Sequence, residues 1–177
     1  RIGKEHIWYF GSGELTGSSA SGGEAYYGGN GIYKSLDGGL SWDSLSVTAT
    51  NTNGFDSNFD FIWDLKTDSS NDSLDVVYAA TYGTIYRSEN GGDSWVKQLG
   101  GGSAYYTNIE ITSTGVVYAT LSSMYSPATD MGIWRSIDGQ NWTNITDVNF
   151  PPIYGRIAIG INPSNENEVY FLAAETD

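Results

Sequence analysis

Cysteine is absent from the sequence, so disulfides, thiolate nucleophiles and thiolate metal sites are all excluded. The single histidine, His6, argues against a zinc or copper centre built from imidazoles. Lys and Arg number 8 against 21 Asp and Glu, which gives a net charge of −13. Because no basic residues cluster, we expect no phosphate-binding surface and no nucleic-acid partner. No apolar run approaches the roughly 18–20 residues of a membrane span, so none is expected.

The residues that are abundant favour β-structure. The chain has 23 glycines, 13 tyrosines and 6 tryptophans in 177 residues, a composition typical of short strands joined by tight turns. No apolar stripe recurs at the 3.6-residue period of a helix, so helices should be few. The acidic excess fits an extracellular or cell-surface protein. The start at Arg1, without a signal sequence, is expected of a processed protein or an excerpt of a longer one.

A repeated motif organises the chain. The segments "SLDGGLSW" (35–42), "SENGGDSW" (88–95) and the shorter "SIDGQNW" (136–142) share a serine, an acidic or amide residue, glycine and tryptophan in the same order. Each follows a strand-like segment, "GIYKS", "TIYRS" or "GIWRS", and the serines are 53 and 48 residues apart. With two further short apolar segments upstream, a unit has four strands in about 40–50 residues, the period of a β-propeller blade.

The predicted fold is therefore all-β, a β-propeller of four-stranded antiparallel blades, with about three to four blades in residues 1–177. We assign a partial blade to residues 1–55, complete blades to 56–104 and 105–150, and the start of a further blade to 151–177. Propellers close with typically four to eight blades. The remaining blades are therefore expected from the same chain or from another.

The repeated motif has a structural explanation. Its serine and its acidic or amide residue can hydrogen-bond the amides of a tight turn, its glycines supply positive φ, and its tryptophan covers the turn. Asn90 stands where the other copies have Asp37 and Asp138, and an amide preserves a turn cap but not a catalytic carboxylate. We therefore assign a structural role to all three copies: Ser35, Asp37, Gly39 and Trp42; Ser88, Asn90, Gly92 and Trp95; Ser136, Asp138, Gly139 and Trp142.

The pattern Ser-x-Asp-x-Gly-x-x-Trp resembles the Asp box, or BNR repeat, of β-propellers in sialidases, xyloglucan-cleaving hydrolases, sortilin-type receptors and secreted bacterial glycosyl-hydrolase-like proteins. Residues 35–42 match in full, the second copy has Asn for Asp, and the third is one residue short. The resemblance implies a secreted bacterial protein. It also implies that each box lies between the third and fourth strands of a blade, away from the active-site face. Arg87 and Arg135 share the repeat position of Lys34, so they are strand residues rather than a sialidase arginine triad.

Carboxylates outside the repeat pattern are the candidates for catalysis, because glycoside hydrolysis generally uses two of them. Glu14 opens a Gly- and Ser-rich loop at 11–31, and long loops on a rigid scaffold often carry function. Asp64 lies in a predicted inner strand, where it would face the central channel, and Glu110 is assigned the equivalent place in the next blade. For Glu14 a solvated or turn-capping carboxylate is the alternative, and for Asp64 and Glu110 it is a solvated lining of the channel.

Tyrosines beside the loops that join the inner strands are candidates for binding, together with Glu14: Tyr26, Tyr27, Tyr82, Tyr105 and Tyr106. Sugar rings stack on such side chains and protein partners use them as anchors; packing between blades is the alternative. We expect no cofactor other than calcium, for which the candidate oxygen ligands are Asp68, Asp72 and Asp75. A polar hairpin loop explains the same three aspartates.

Three functions follow from these features. The first is a recognition scaffold that binds a glycan or a protein on the face that carries loop 11–31. The second is a glycoside hydrolase, similar to xyloglucanases or sialidases, whose catalytic carboxylates lie partly outside this segment. The third is a repeat module of a bacterial surface adhesin or assembly.

Overall fold

The computed structural model describes residues 3–18, 24–52, 54–101, 105–124 and 129–175. Regular structure in these ranges consists of fifteen β-strands and one short 3₁₀ helix, Asn58–Asp60. Neighbouring strands within each sheet are antiparallel. The all-β fold predicted from the sequence is therefore confirmed. No helix in the described part of the chain is both long and apolar enough to cross a membrane.

The N-terminal sheet has three strands, in the order β1 (Trp8–Gly11), β4 (Ile32–Ser35) and β5 (Asp43–Ser44). A separate hairpin of β2 (Glu14–Ser18) and β3 (Glu24–Tyr27) is inserted between β1 and β4. The segment predicted as one long loop at 11–31 thus contains two paired strands.

Two four-stranded sheets follow, each with its strands in chain order. The second sheet contains β6 (Ile62–Thr67), β7 (Val77–Thr81), β8 (Thr84–Ser88) and β9 (Val96–Gly100). The third contains β10 (Thr107–Ile111), β11 (Val117–Leu121), β12 (Gly132–Ser136) and β13 (Trp142–Asn144). A last, two-stranded sheet consists of β14 (Tyr154–Ile161) and β15 (Val169–Glu175). β-branched and aromatic residues are frequent in these strands, because they fit a pleated, half-buried surface.

The sheets lie side by side, with their first strands adjacent. β6 contacts β1 and β10, and β10 also contacts β14. Each core lies between two sheets. β7 shows this most clearly, because it is buried along its whole length: Ala79 packs towards the first sheet, whereas Tyr78 and Ala80 pack towards the third. A fully buried aliphatic side chain here, such as Ile109, contributes about 1.5–3 kcal/mol to the stability of the fold.

The outward faces of the first and last sheets are not covered in this way. Trp8 and Phe10 on β1 are 53% and 41% exposed, and Tyr170 and Leu172 on β15 are 63% and 77% exposed. In the two middle sheets, the neighbouring sheet covers the corresponding face. Such exposed apolar faces are typical of an interaction surface.

The repeated turns connect β4 to β5, β8 to β9 and β12 to β13. In the first turn, the Gly39 amide donates to the Ser35 hydroxyl oxygen at 2.8 Å. The Asp37 carboxylate accepts from the amide and the hydroxyl of Ser41, at 2.9 and 2.6 Å. The Trp42 indole N–H donates to the Gly39 carbonyl oxygen at 3.1 Å. Side chains therefore satisfy the backbone groups of the turn, as the motif predicts.

The other two copies vary this scheme. Asn90 accepts from the Ser94 amide at 2.9 Å and donates to the Ser94 hydroxyl oxygen at 2.9 Å, so the amide reverses the donor of one bond and keeps the turn. The third copy is one residue shorter, and the buried indole N–H of Trp142 has no hydrogen-bond partner among the described residues. The Trp95 indole, by contrast, donates to the Gly92 carbonyl oxygen at 3.0 Å.

Replacing Asp37 with asparagine should leave stability at pH 7 almost unchanged, because Asn90 makes the equivalent bonds. The hydrogen bonds from the Ser41 side chain and amide, and then from Ser35, lower the pKa of Asp37 to about 2. Asp37 therefore stabilises the fold above its unfolded-state pKa of about 3.9, and this contribution is lost as the pH falls towards 2. Urea denaturation at pH 7 and pH 3 should show that the Asp37→Asn variant loses less stability between the two pH values than the unmodified protein does. The Asp37→Ala variant should lose stability already at pH 7.

Candidate functional site

The two ends of the sheets carry different features. β8 and β12 run from the β7–β8 and β11–β12 connections to the repeated turns, so these connections and the turns lie at opposite ends. The β2–β3 hairpin and the beginnings of β6, β10 and β14 lie at the end away from the turns. We call this end the loop face.

The hairpin on the loop face brings two of the predicted binding residues together. Glu14 pairs with Tyr27 across β2 and β3, and both side chains are exposed, Tyr27 to 63%. The base of the hairpin is anchored on the 3₁₀ helix that precedes the second sheet, where the Gly29 amide donates to the Asp60 carbonyl oxygen at 2.8 Å. The side chain of Tyr26 lies outside the described residues.

The 3₁₀ helix fixes the approach to β6. The Ser57 side chain accepts from the Phe59 amide at 3.2 Å, and the Asp60 carboxylate accepts from the amides of Asp56 and Ser57, both at 2.9 Å. Asp60 is fully buried, and its second carboxylate oxygen has no hydrogen-bond partner within the described ranges. This reciprocal cap holds the segment that presents Phe55 on the loop face.

Five aromatic side chains form a series of successive ring contacts on the loop face between the second and third sheets, and we call them the aromatic row: Phe55, Tyr82, Tyr105, Tyr106 and Trp63. Successive ring centroids are 4.8, 5.5, 6.4 and 4.9 Å apart. The Trp63 indole N–H donates to the Tyr105 carbonyl oxygen at 2.7 Å, which fixes the end of the row. Phe55 is 45% exposed and the other four are half-buried. The row therefore presents ring surface to solvent and is held by its own contacts.

The three tyrosines of the row are predicted from the sequence, but Phe55 and Trp63 are not. Trp63 lies at a break in strand register between Ile62 and Asp64. Such a bulge re-aims a side chain in a way that simple alternation along the strand does not reveal. The available signal was the cluster of aromatic residues in "FDSNFDFIW" (55–63), immediately before the inner strand.

The carboxylates of the inner strands share one ammonium group. Lys66 Nζ lies 2.8 Å from Glu110 Oε1 and 3.5 Å from Asp64 Oδ2. The Asn108 side-chain amide donates to Asp64 Oδ2 at 3.2 Å, and its oxygen accepts from the Ile159 amide at 3.0 Å. This network, which we call the inner-strand cluster, joins β6, β10 and β14. In the described residues, no hydrogen bond or ion pair links Glu14 to it.

Glu110 does not hold the place that the sequence predicts for it. The strand pairing places Lys66 and Glu110 opposite equivalent tyrosines of their neighbouring strands, so these two residues are equivalent, and Asp64 is equivalent to Asn108. The sequence alignment of the two strands is therefore wrong by two residues. A two-residue slip leaves every side chain on the same face of the strand, and hydrophobic alternation cannot detect it.

Burial and the neighbouring charged groups together shift the pKa values of Asp64 and Lys66. Burial raises the pKa of Asp64, and the negative charge of Glu110 adds to this effect while Lys66 opposes it. Burial disfavours the charged form of Lys66, but the hydrogen bond to Glu110 and the charge of Asp64 outweigh it and raise the pKa of Lys66. The protonated lysine thus holds both carboxyl groups and ties β6 to β10.

The three predicted calcium ligands lie in and beside the β6–β7 connection. The Asp68 carboxylate accepts from the amide and the hydroxyl of Ser70, at 2.8 and 2.6 Å, and Asp75 forms an ion pair with Lys4. In the part of the chain that the structure describes, no group of three or more His, Asp or Glu is arranged to hold a metal ion. Calcium binding that involves Asp68, Asp72 and Asp75 stays a prediction.

No protein-family model matches the chain, and no curated protein matches it. Among solved structures it resembles a GH74 enzyme from Niastella koreensis, with 21% identity over 94% of this chain and 23% of that one and a TM-score of 0.63. It also resembles the GH74 xyloglucanase from Xanthomonas campestris, with 18% identity over 96% and 25% of the two chains and a TM-score of 0.64. An ancestral GH74 enzyme matches with 22% identity over 87% and 20% and a TM-score of 0.55.

These comparisons confirm the β-propeller fold that the sequence predicts, because the structural neighbours are β-propeller enzymes. At identities of 18–22% the likeness concerns the fold. The chain spans about a quarter of the length of the solved structures it matches, so it corresponds to part of such a propeller.

Proposed function

We propose that this chain is a segment of a secreted Asp-box β-propeller whose loop face recognises a glycan, with the aromatic row as the binding platform. The observation that carries the proposal is the row itself, five rings in successive contact of which none is fully buried. The electron-rich face of an aromatic ring suits the C–H face of a sugar. Because the rings follow one another, an extended oligosaccharide fits the row better than a single sugar.

The charge of the chain narrows the class of glycan. A net charge of −13 disfavours the approach of acidic polysaccharides and leaves neutral ones. On the loop face, the exposed Glu14 and Tyr27 of the hairpin can accept and donate hydrogen bonds to sugar hydroxyls. One structural neighbour is a xyloglucanase, so xyloglucan oligosaccharides are the first neutral probes to use.

Removing rings from the row should weaken glycan binding. We expect Tyr82→Ala and Tyr105→Ala each to raise the Kd for the best-binding neutral oligosaccharide about tenfold, which corresponds to about 1.4 kcal/mol per stacked ring. Isothermal titration with xyloglucan and cello-oligosaccharides measures this. Tyr170→Ala is the matched control, because Tyr170 is an exposed tyrosine at the opposite end of its strand from the loop face. Equal affinity of all four proteins would exclude the row as the binding site.

A glycoside hydrolase is the second candidate function. Two observations favour it: Asp64 and Glu110 flank a single ammonium group, and the fold is that of GH74 enzymes. Hydrolases of this kind need two carboxyl groups on either side of the scissile bond. Release of reducing sugars from the same oligosaccharides should be measured with the Glu14→Gln, Asp64→Asn and Glu110→Gln variants. If the unmodified chain hydrolyses these oligosaccharides and any one of the variants does not, the function is catalysis and not recognition.

A further inference from the structure

On the first sheet, a tyrosine and a cation hold the repeated turn of the second sheet. The Tyr9 hydroxyl and Lys34 Nζ both donate to the Gly91 carbonyl oxygen, at 3.1 and 2.9 Å. Lys34 Nζ lies 5.6 Å from the centre of the Tyr9 ring. Gly91 is the fourth residue of the turn at 88–95. A turn that caps its own sheet is therefore also bound by the sheet before it.

The second sheet repeats this arrangement with Tyr78 and Arg87. Arg87 Nε donates to the Tyr78 hydroxyl oxygen at 3.2 Å, and the guanidinium lies 5.8 Å from the ring centre. Both contact Gly139 so closely that a Cβ at this glycine would lie 1.9 Å from Tyr78 Oη and 3.0 Å from Arg87 Nε. Gly139 is the fourth residue of the turn at 136–142. The same position of the motif is thus bound in both cases.

On the third sheet, the same two strand positions belong to Tyr118 and Arg135. They are cross-strand partners on β11 and β12, as the tyrosine and the cation are on the first two sheets. Arg135 makes no hydrogen bond or ion pair within the described residues. Conversely, Gly38, the fourth residue of the first turn, would have no atom within 4 Å of an added Cβ. Within the described residues, the pair Tyr118 and Arg135 and the first turn thus lack the contact that the other copies make.

We propose that Tyr118 and Arg135 are a docking site for a Ser-x-Asp-x-Gly turn of the next blade of the same chain, since single-chain structural neighbours are about four times as long. The chemistry of the occupant follows from the two filled sites. It is a turn with glycine at the fourth position, because both filled sites lie against that glycine, and its carbonyl there can accept hydrogen bonds as that of Gly91 does. The site lies at the turn end of the sheets, so it is a surface for assembling the propeller and is separate from glycan recognition on the loop face.

The test uses a backbone-cyclised peptide of residues 136–142 as the occupant and the chain labelled with ¹⁵N-arginine. On titration, the Nε–Hε signal of Arg135 should shift and saturate, whereas that of Arg87 should stay in place because Gly139 already fills its site. A peptide with alanine in place of its glycine should shift neither signal. The Tyr118→Phe variant should bind the glycine peptide more weakly, because it lacks the hydroxyl donor.

Two results would overturn the proposal. One is an Arg135 signal that does not move at peptide concentrations up to about 5 mM, because the Kd would then be too high for a specific contact with the turn. The other is an equal loss of thermal stability for Arg87→Gln and Arg135→Gln, which would mean that Arg135 already has a structural partner. Docking predicts that only Arg87→Gln lowers the melting temperature of this chain.

Discussion

Replacing Gly139 with alanine is expected to destabilise the protein by about 2–5 kcal/mol. Gly139 has φ +71°, a conformation that costs other residues about 1–2 kcal/mol. An added Cβ would also lie 1.9 Å from Tyr78 Oη, and Tyr78 is fully buried in the core between the second and third sheets. Because the tyrosine cannot move without opening that core, overpacking adds a further 1–3 kcal/mol or so. Urea denaturation at pH 7 measures the change.

Gly38 provides the matched control for this substitution. It occupies the same motif position with φ +76°, but no atom lies within 4 Å of its added Cβ. Gly38→Ala should therefore cost only the conformational part, about 1–2 kcal/mol. The difference between the two variants isolates the contact between a turn and the preceding sheet. If both substitutions cost the same, the turn does not dock on Tyr78.

The second large effect is expected from Lys66→Met, which should cost about 2 kcal/mol at pH 7. Removing one partner of a buried ion pair costs 3–5 kcal/mol or so, because the other charge is left uncompensated. Here Lys66, Asp64 and Glu110 all keep some solvent contact, so the loss should be smaller. Lys97→Met is the control, since Lys97 is exposed and such a change is usually within about 0.5 kcal/mol of neutral.

The deficit of the Lys66→Met variant should depend on pH. Burial already raises the pKa of Asp64, so the contribution of this carboxyl is most favourable below its unfolded-state pKa of about 3.9 and is lost as the pH rises through the raised folded value. Without the lysine, this effect should become stronger. The stability gap between variant and wild type should therefore be largest at pH 7 and shrink at pH 4. A gap that is the same at both pH values would show that the lysine acts through packing alone.

The fold and the position of the turns could be predicted because they depend on local chemistry. Three copies of one turn motif, each preceded by a β-branched and aromatic strand, determine a four-stranded repeat. Asn90 stands where the other copies have Asp, which indicated that the motif is a turn cap. The hydrogen bonds between Asn90 and Ser94 explain how the turn tolerates the amide. The hydrogen bond that the shortened third copy loses at Trp142 follows from a one-residue deletion that is visible in the sequence.

The candidate site was less predictable because it depends on register and on contacts between sheets. The equivalence of Lys66 and Glu110 can be seen only from the strand pairing, because a two-residue shift along a strand leaves the hydrophobic alternation unchanged. The aromatic row needs the bulge at Trp63 and the cap formed by Asp60. The contact of Tyr78 and Arg87 with Gly139 joins residues that are about 50–60 positions apart in the chain. No local pattern brings these groups together.

The central claim, a glycan platform on the loop face, is tested most directly by intermolecular NOEs between a bound neutral oligosaccharide and the aromatic protons of the chain. Xyloglucan oligosaccharide at saturating concentration should give NOEs from its ring C–H protons to Tyr82, Tyr105 and Trp63, and none to Tyr170. NOEs to Tyr170 alone, or saturable binding without any NOE to the aromatic row, would contradict the account.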